Sequence, residues 1–131
     1  MKEAYPVIIS KSNNDVHAYS VFIPDMDLNT EGDSLADAIY MARDIISLTA
    51  MTKQDMHQEV AKPNTVKADV KTGDVVTLVD VDIDEYRKRY DKRAVKKNCT
   101  IPYYLNEAAE AAGINFSKVL QEALSQKLGI N

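Results

Sequence analysis

Apolar residues recur along this chain at two different periods, and the switches between them divide it into elements. Tyr5-Pro6-Val7-Ile8-Ile9-Ser10 is a short β-branched run that ends in the polar cluster Lys11-Ser12-Asn13-Asn14-Asp15, as a strand followed by a turn would. Residues 17–23 alternate polar and apolar up to Pro24, which predicts a second strand and a hairpin. Pro24-Asp25-Met26-Asp27 reads as a turn and 28–32 as a third, short strand. Ser34 opens the clearest helix. Its hydroxyl is placed to cap the free amides, with Asp37 three residues on completing a capping box. Leu35, Ala38, Ile39, Ala42, Ile45, Ile46 and Thr49 follow at spacings of three and four, one apolar stripe over more than four turns. Thr52 is read as the cap of a second, weaker helix through Val60 that must finish before Pro63. Residues 63–74 are loop-like, and 75–83 carry the strongest strand signal. The nearly all-apolar run from Val75 to Val79 suits a strand packed on both faces. The order β-β-β-α-(α)-β predicts an α+β sheet with one face under the Ser34 helix.

The pattern then changes. Residues 85–97 hold seven basic side chains and two acids, Glu85 and Asp91, and the module boundary is placed there. The predicted domains are 1–84, a basic linker 85–94, and a tail 95–131. In the tail, 95–101 have strand-like alternation: Val95, Cys99 and Ile101 fall on one face, Lys96, Asn98 and Thr100 on the other. Pro102 suits the first position of a helix, 103–112 are alanine-rich, and Gly113 is placed to end them. Asn115 caps a last helix whose apolar stripe is Phe116, Val119, Leu120, Ala123, Leu124 and Leu128, with Gly129 at its end.

Charge sharpens the division. The 131 residues carry 16 Lys/Arg and 20 Asp/Glu, a net −4, so the chain as a whole is not a basic nucleic-acid binder. Residues 1–84 nevertheless have 7 basic and 15 acidic side chains, and 85–131 have 9 and 5. Balances of −8 and +4 suggest two modules with partners of opposite sign. The single cysteine, Cys99, excludes a disulfide framework or a cysteine-based zinc cluster and alternates into the expected tail core. No stretch approaches the ~18 uncharged apolar residues of a membrane span, and the N-terminus lacks an apolar signal core. The expectation is a cytoplasmic protein without membrane partners.

Catalytic chemistry finds little footing. Asp80 and Asp82 alternate on a strand and Asp25 and Asp27 sit in a turn, but two-metal hydrolysis needs acids converging from several strands. His17 and His57 lack a recognisable Ser or Cys partner, and none of the four glycines stands in a phosphate-cradling loop. Neither enzyme activity, a metal nor a cofactor is expected. Asp25, Asp27, Glu31 and Asp33 near one turn, and Asp80, Asp82 and Asp84 along the last strand, read either as a solvated rim or as partner contacts. The basic run 87–93 reads equally as a solvated segment and as a phosphate-contacting one.

A strand and two short helices bury too little apolar surface to offset their ordering entropy alone. Two copies suffice: antiparallel pairing of the two strands about a two-fold axis turns Cys99 and Ile101 toward four helices and Lys96, Asn98 and Thr100 outward. Such a ribbon fits the major groove, where Lys donates to guanine and Asn pairs with adenine edges. The tail resembles ribbon-helix-helix repressors of the Arc and MetJ type. Lys96-Lys97-Asn98-Cys99-Thr100-Ile101-Pro102 is similar to their reading strand, and Gly113-Ile114-Asn115-Phe116-Ser117 with Leu120 and Ala123 to their inter-helix turn and second helix. The resemblance implies base contacts from Lys96, Asn98 and Thr100, and a phosphate held by the backbone amides of Asn115, Phe116 and Ser117. Phe116 departs from the basic or small polar residue often found there.

The front module resembles the HicB antitoxins. The residues that carry the likeness are Tyr5-Pro6-Val7-Ile8-Ile9, then Tyr19-Ser20-Val21-Phe22-Ile23-Pro24-Asp25-Met26, then Gly32-Asp33-Ser34-Leu35-Ala36-Asp37-Ala38. With the tail behind it, the likeness covers nearly the whole chain. It implies a partial RNase H-like β-β-β-α-β domain without nuclease activity, joined to a ribbon-helix-helix domain that dimerises. It implies two partners, a HicA-type RNA-cleaving toxin and the operator DNA of the chain's own operon. The −8 module is a physical complement to a basic RNA-gripping surface, although no toxin-contacting residue can be singled out. A tetramer through the front modules is compatible with the sequence but not derivable from it. The rival reading is a stand-alone ribbon-helix-helix repressor whose front module senses a small ligand.

Overall fold

The structure, a computed structural model, describes residues 1–13 and 16–130. Asn14 and Asp15, part of the expected first turn, lie outside the described residues. The chain divides into two compact units, Met1–Arg93 and Ala94–Asn131.

The first unit is a four-stranded antiparallel sheet of order β3-β2-β1-β4, made of β1 (Lys2–Lys11), β2 (Tyr19–Ile23), β3 (Leu28–Gly32) and β4 (Val75–Asp82). β1 is central, pairing Ile8 with Phe22 on one side and Val76 on the other. Its odd-numbered residues Tyr5, Val7 and Ile9 point to the core with Val21, Ile23, Val79 and Val81, as strand alternation requires. Over them lies α1 (Leu35–Asp55), which buries Ala38, Ala42, Ile46 and Ala50. These four recur every fourth residue, and three are alanines, so the helix backbone rides close to the sheet. Gly32 marks the closest approach: a Cβ there would stand 2.5 Å from the Ala38 amide nitrogen. Ser34 caps the helix by accepting from the Asp37 amide at 3.0 Å.

The β-β-β-α-β order matches the expected one, with three corrections. First, the helix expected to begin at Thr52 is the last turn of α1. The Thr52 hydroxyl donates back to the Leu48 carbonyl at 2.8 Å, an i−4 bond open to any helical Thr, and Ala50 and Met51 extend the buried stripe. The helix ends where His57 takes φ 55°. Second, β4 is an edge strand with one face open. Val79 and Val81 are buried, while Val76 and Leu78 are exposed, because α1 covers only the opposite face of the sheet.

Third, 85–90 are not linker but belong to α2 (Ile83–Tyr90), capped by Asp82 accepting from the Glu85 amide. Ile83 is fully buried. Arg87 donates to the Met51 carbonyl and to Gln54 and pairs with Asp55 at 2.8 Å. Arg93 reaches Asp55 at 3.0 Å and Asp91 at 2.7 Å. These ties keep the segment in the first unit, so the charge break softens: Met1–Arg93 carries −5 and the remainder +1.

The second unit contains α3 (Tyr103–Ala111) and α4 (Phe116–Leu128). Gly113 at φ 67° ends the first, with its own amide bonded to Glu110 and that of Ile114 to Ala109, the left-handed exit a glycine favours. Pro102 occupies the cap position rather than the first turn. Residues 91–102 have no regular secondary structure, in contrast to the strand expected over 95–101. A strand exists only against a hydrogen-bonded neighbour, and the single chain offers this segment none. Cys99, expected in a core, is exposed for the same reason. No described residue from Ala94 onward is buried.

Candidate nucleic-acid interface and acidic surface

Lys96, Asn98 and Thr100 are exposed, and within the described residues none of their side chains makes a hydrogen bond or ion pair. At the start of α4, the Asn115 side-chain oxygen accepts from the Lys118 amide at 3.1 Å, and its carbonyl from Val119 at 3.1 Å. The amides of Phe116 and Ser117 precede that first intrahelical bond, at the positive end of the helix. Asn115 thus serves the helix as a cap, with its side-chain oxygen committed. No hydrogen bond or ion pair joins 96–100 to 115–117, so one chain does not assemble the expected readers and phosphate clamp into one site.

The apolar face of this unit is the larger feature. Leu105, Ile114, Val119, Leu120, Leu124 and Leu128 are between 38% and 69% exposed. Their spacing on α4 is that of a packed stripe, yet within the unit they meet too little to be covered.

Most of the acids singled out on the first unit prove to have structural employment. Asp25 accepts from the amides of Asn64, Thr65 and Val66 and from the Thr65 hydroxyl, at 2.7–3.2 Å. Partial burial pushes its pKa up, but the Thr65, Asn64 and Val66 donors outweigh that and hold it below the usual carboxylate range. Asp80 takes two bonds from Arg43, one at its carbonyl and one at its carboxylate, both 3.0 Å. Asp82 caps α2, and Asp84 meets the N-terminal amine at 2.8 Å. Asp33 bonds His17 Nδ1 at 2.8 Å and Glu31 lies 3.5 Å from Nε2. The Asp33 bond raises the His17 pKa. Among the described residues no group of three or more metal-binding side chains converges, and no helix is long and apolar enough to cross a membrane.

One cluster escaped the sequence reading. Tyr40 from α1 and Tyr86 and Tyr90 from α2 gather around a cavity of about 230 Å³ that Arg43, Asp44, Ser47, Asp80 and Arg89 also line. The rings of Tyr86 and Tyr90 lie 4.7 Å apart at 43°, and the Tyr86 hydroxyl donates to Asp44 at 3.2 Å. Burial, then the charge of Asp44, pushes the Tyr86 pKa up to about 12. The i,i+4 spacing of Tyr86 and Tyr90 was the available signal, but it lay inside a run read as linker.

A family model described as HicB-like antitoxin of bacterial toxin–antitoxin systems matches residues 5–124. A toxin–antitoxin complex from Streptococcus pneumoniae contains a chain similar in structure, with a TM-score of 0.58 and 24% identity over 97% of this chain and 99% of that one. The antitoxin HicB of Burkholderia pseudomallei is similar at TM-score 0.52 and 23% identity, over 97% of each chain. At these identities the two structures speak for the fold. No curated protein sequence matches.

Proposed function

Since the chain belongs to the HicB-like antitoxins, its match extending over residues 5–124, we propose that it neutralises a HicA-type, mRNA-cleaving toxin by direct binding and represses its own operon in the cytoplasm. The first unit, as a partial RNase H-like domain without nuclease activity, takes the toxin. Its −5 charge complements the basic surface that any RNA-gripping protein presents. The second unit dimerises as a ribbon-helix-helix module. Residues 95–101 of two copies pair into a ribbon from which Lys96, Asn98 and Thr100 reach base edges. The N-terminal amides of α4, at Phe116 and Ser117 beyond the Asn115 cap, take a phosphate.

The observation that carries this reading is the tail without a core: two helices each ended by a left-handed glycine, an apolar stripe at helical spacing, and no buried residue among those described. A second copy supplies both the missing core and the missing strand neighbour. The test measures binding of the full chain to DNA from upstream of its own reading frame, alongside growth rescue on co-expression with the neighbouring small basic protein. Lys96→Ala and Asn98→Ala should each lose the DNA while rescue persists. Undiminished DNA affinity in both variants refutes the reader assignment, and failure of the wild-type chain to relieve growth arrest refutes the antitoxin role.

A further inference from the structure

We propose that the cleft between α1 and α2 receives a cationic side chain, an arginine guanidinium, projecting from the protein partner of the first unit. The inference deepens the antitoxin reading and rests on it for the partner's identity, while the chemistry of the cleft stands on its own geometry. At about 230 Å³ the cavity falls below the roughly 300–1,000 Å³ usual for small-molecule pockets and suits a single side chain. Three tyrosines wall it, and aromatic faces attract cations, guanidinium above all because it also stacks. Four carboxylates line it, Asp44, Asp80, Asp82 and Glu85, against two guanidiniums. One of those two, Arg43, is already committed to Asp80.

The floor supplies a separate indication. Ser47 is only 2% exposed and lines the cavity, yet its side chain makes no hydrogen bond within the described residues. Among the described residues no buried side-chain polar atom is left without a partner, so the Ser47 hydroxyl opens onto the cavity, where a guanidinium N–H entering the cleft can donate to it. Asp44, which uses Oδ1 for the Tyr86 hydroxyl, retains its second oxygen as the charged acceptor. An anion would meet the excess of carboxylates and is excluded by the same field.

The test is an NMR titration of the isotopically labelled full chain with N-acetyl-arginine amide, its neutral isostere N-acetyl-citrulline amide, and inorganic phosphate. The expected result is a saturating response of the Tyr40, Ser47 and Tyr86 resonances to the arginine probe alone. It should weaken several-fold in Asp44→Asn, which keeps the acceptor oxygen and removes the charge, and in Ser47→Ala. An equal response to citrulline or to phosphate, no response, or an unchanged response in both variants overturns the proposal. Growth rescue by a chain whose cleft ignores the probe leaves the antitoxin role standing and the cleft assignment refuted. A responsive cleft in a chain that fails to rescue upholds the cleft and refutes the role.

Discussion

Replacing Leu124 by alanine separates a shared tail core from a tail that merely exposes its stripe. Alanine keeps the helix, since it is the best helix former. Leu124 is 51% exposed in the single chain, so about half of its burial remains for a second copy to provide. Full burial of a leucine contributes roughly 1.5–3 kcal/mol, which leaves about 1 kcal/mol per copy and ~2 kcal/mol per dimer. At ~1.4 kcal/mol per decade this is an increase of about 30-fold in the dimer dissociation constant. Sedimentation equilibrium of the full chain over a range of concentrations reads that shift directly. Ile46→Ala is the contrast. Ile46 is fully buried in the first unit, so its truncation should cost about 2–5 kcal/mol of that unit's stability and leave the dimer constant where it was. A wild-type chain that stays monomeric throughout, or a Leu124→Ala constant equal to wild type, refutes the shared core.

Three further outcomes follow from the first unit. Gly32→Ala sets a Cβ 2.5 Å from the Ala38 nitrogen; the resulting overpacking should lower stability by about 1–3 kcal/mol, read as a reduced Tm. The lowered pKa of Asp25 means that its hold on residues 64–66 is complete above the ordinary carboxylate pKa of about 3.9 and is lost as pH falls through the lower folded value. Amide exchange at Thr65 and Val66 should therefore accelerate in acid, and Asp25→Ala should show that acceleration already at neutral pH. For His17 the sign reverses: its folded pKa is raised, so the contact with Asp33 contributes below the ordinary value of about 6.5 and is lost as pH rises through the folded value. Imidazole NMR should show Asp33→Asn returning that pKa toward the ordinary value, and an unmoved titration refutes the pairing.

Where the chain's structure follows from near neighbours, the sequence was a sufficient guide. Ser34 and Asn115 cap the helices they precede, and Gly113 and Gly129 take the left-handed exits expected of them. Each of these depends on atoms within four residues. The departures all depend on distant partners. Whether Thr52 caps a new helix or bonds back into an existing one is decided by the sheet under Ala50, not by its own side chain. Val75–Val79 read as buried on both sides because the run is apolar; which face α1 covers is a matter of topology. The basic stretch after Ile83 looked like a linker because the carboxylate that organises it, Asp55, lies more than thirty residues away.

The same distinction governs what of the function was legible. The proposed readers Lys96, Asn98 and Thr100 stand out in the sequence as alternation, but alternation says which side chains would share a face and nothing about what would complete a ribbon, which the proposal assigns to a second chain. The acids were visible as charge, but most turned out to be anchors. Asp25 ties down 64–66, Asp80 holds Arg43, and Asp82 begins α2. A carboxylate with three or four local donors is a poor candidate for a partner's hot spot, because a competing ligand must first break those bonds. Asp44 differs: it holds one tyrosine hydroxyl beside a cavity that Ser47 also lines. Attraction of the front unit for a basic partner is therefore to be sought not where its acids are densest along the chain, but where α1 and α2 leave one of them only partly used.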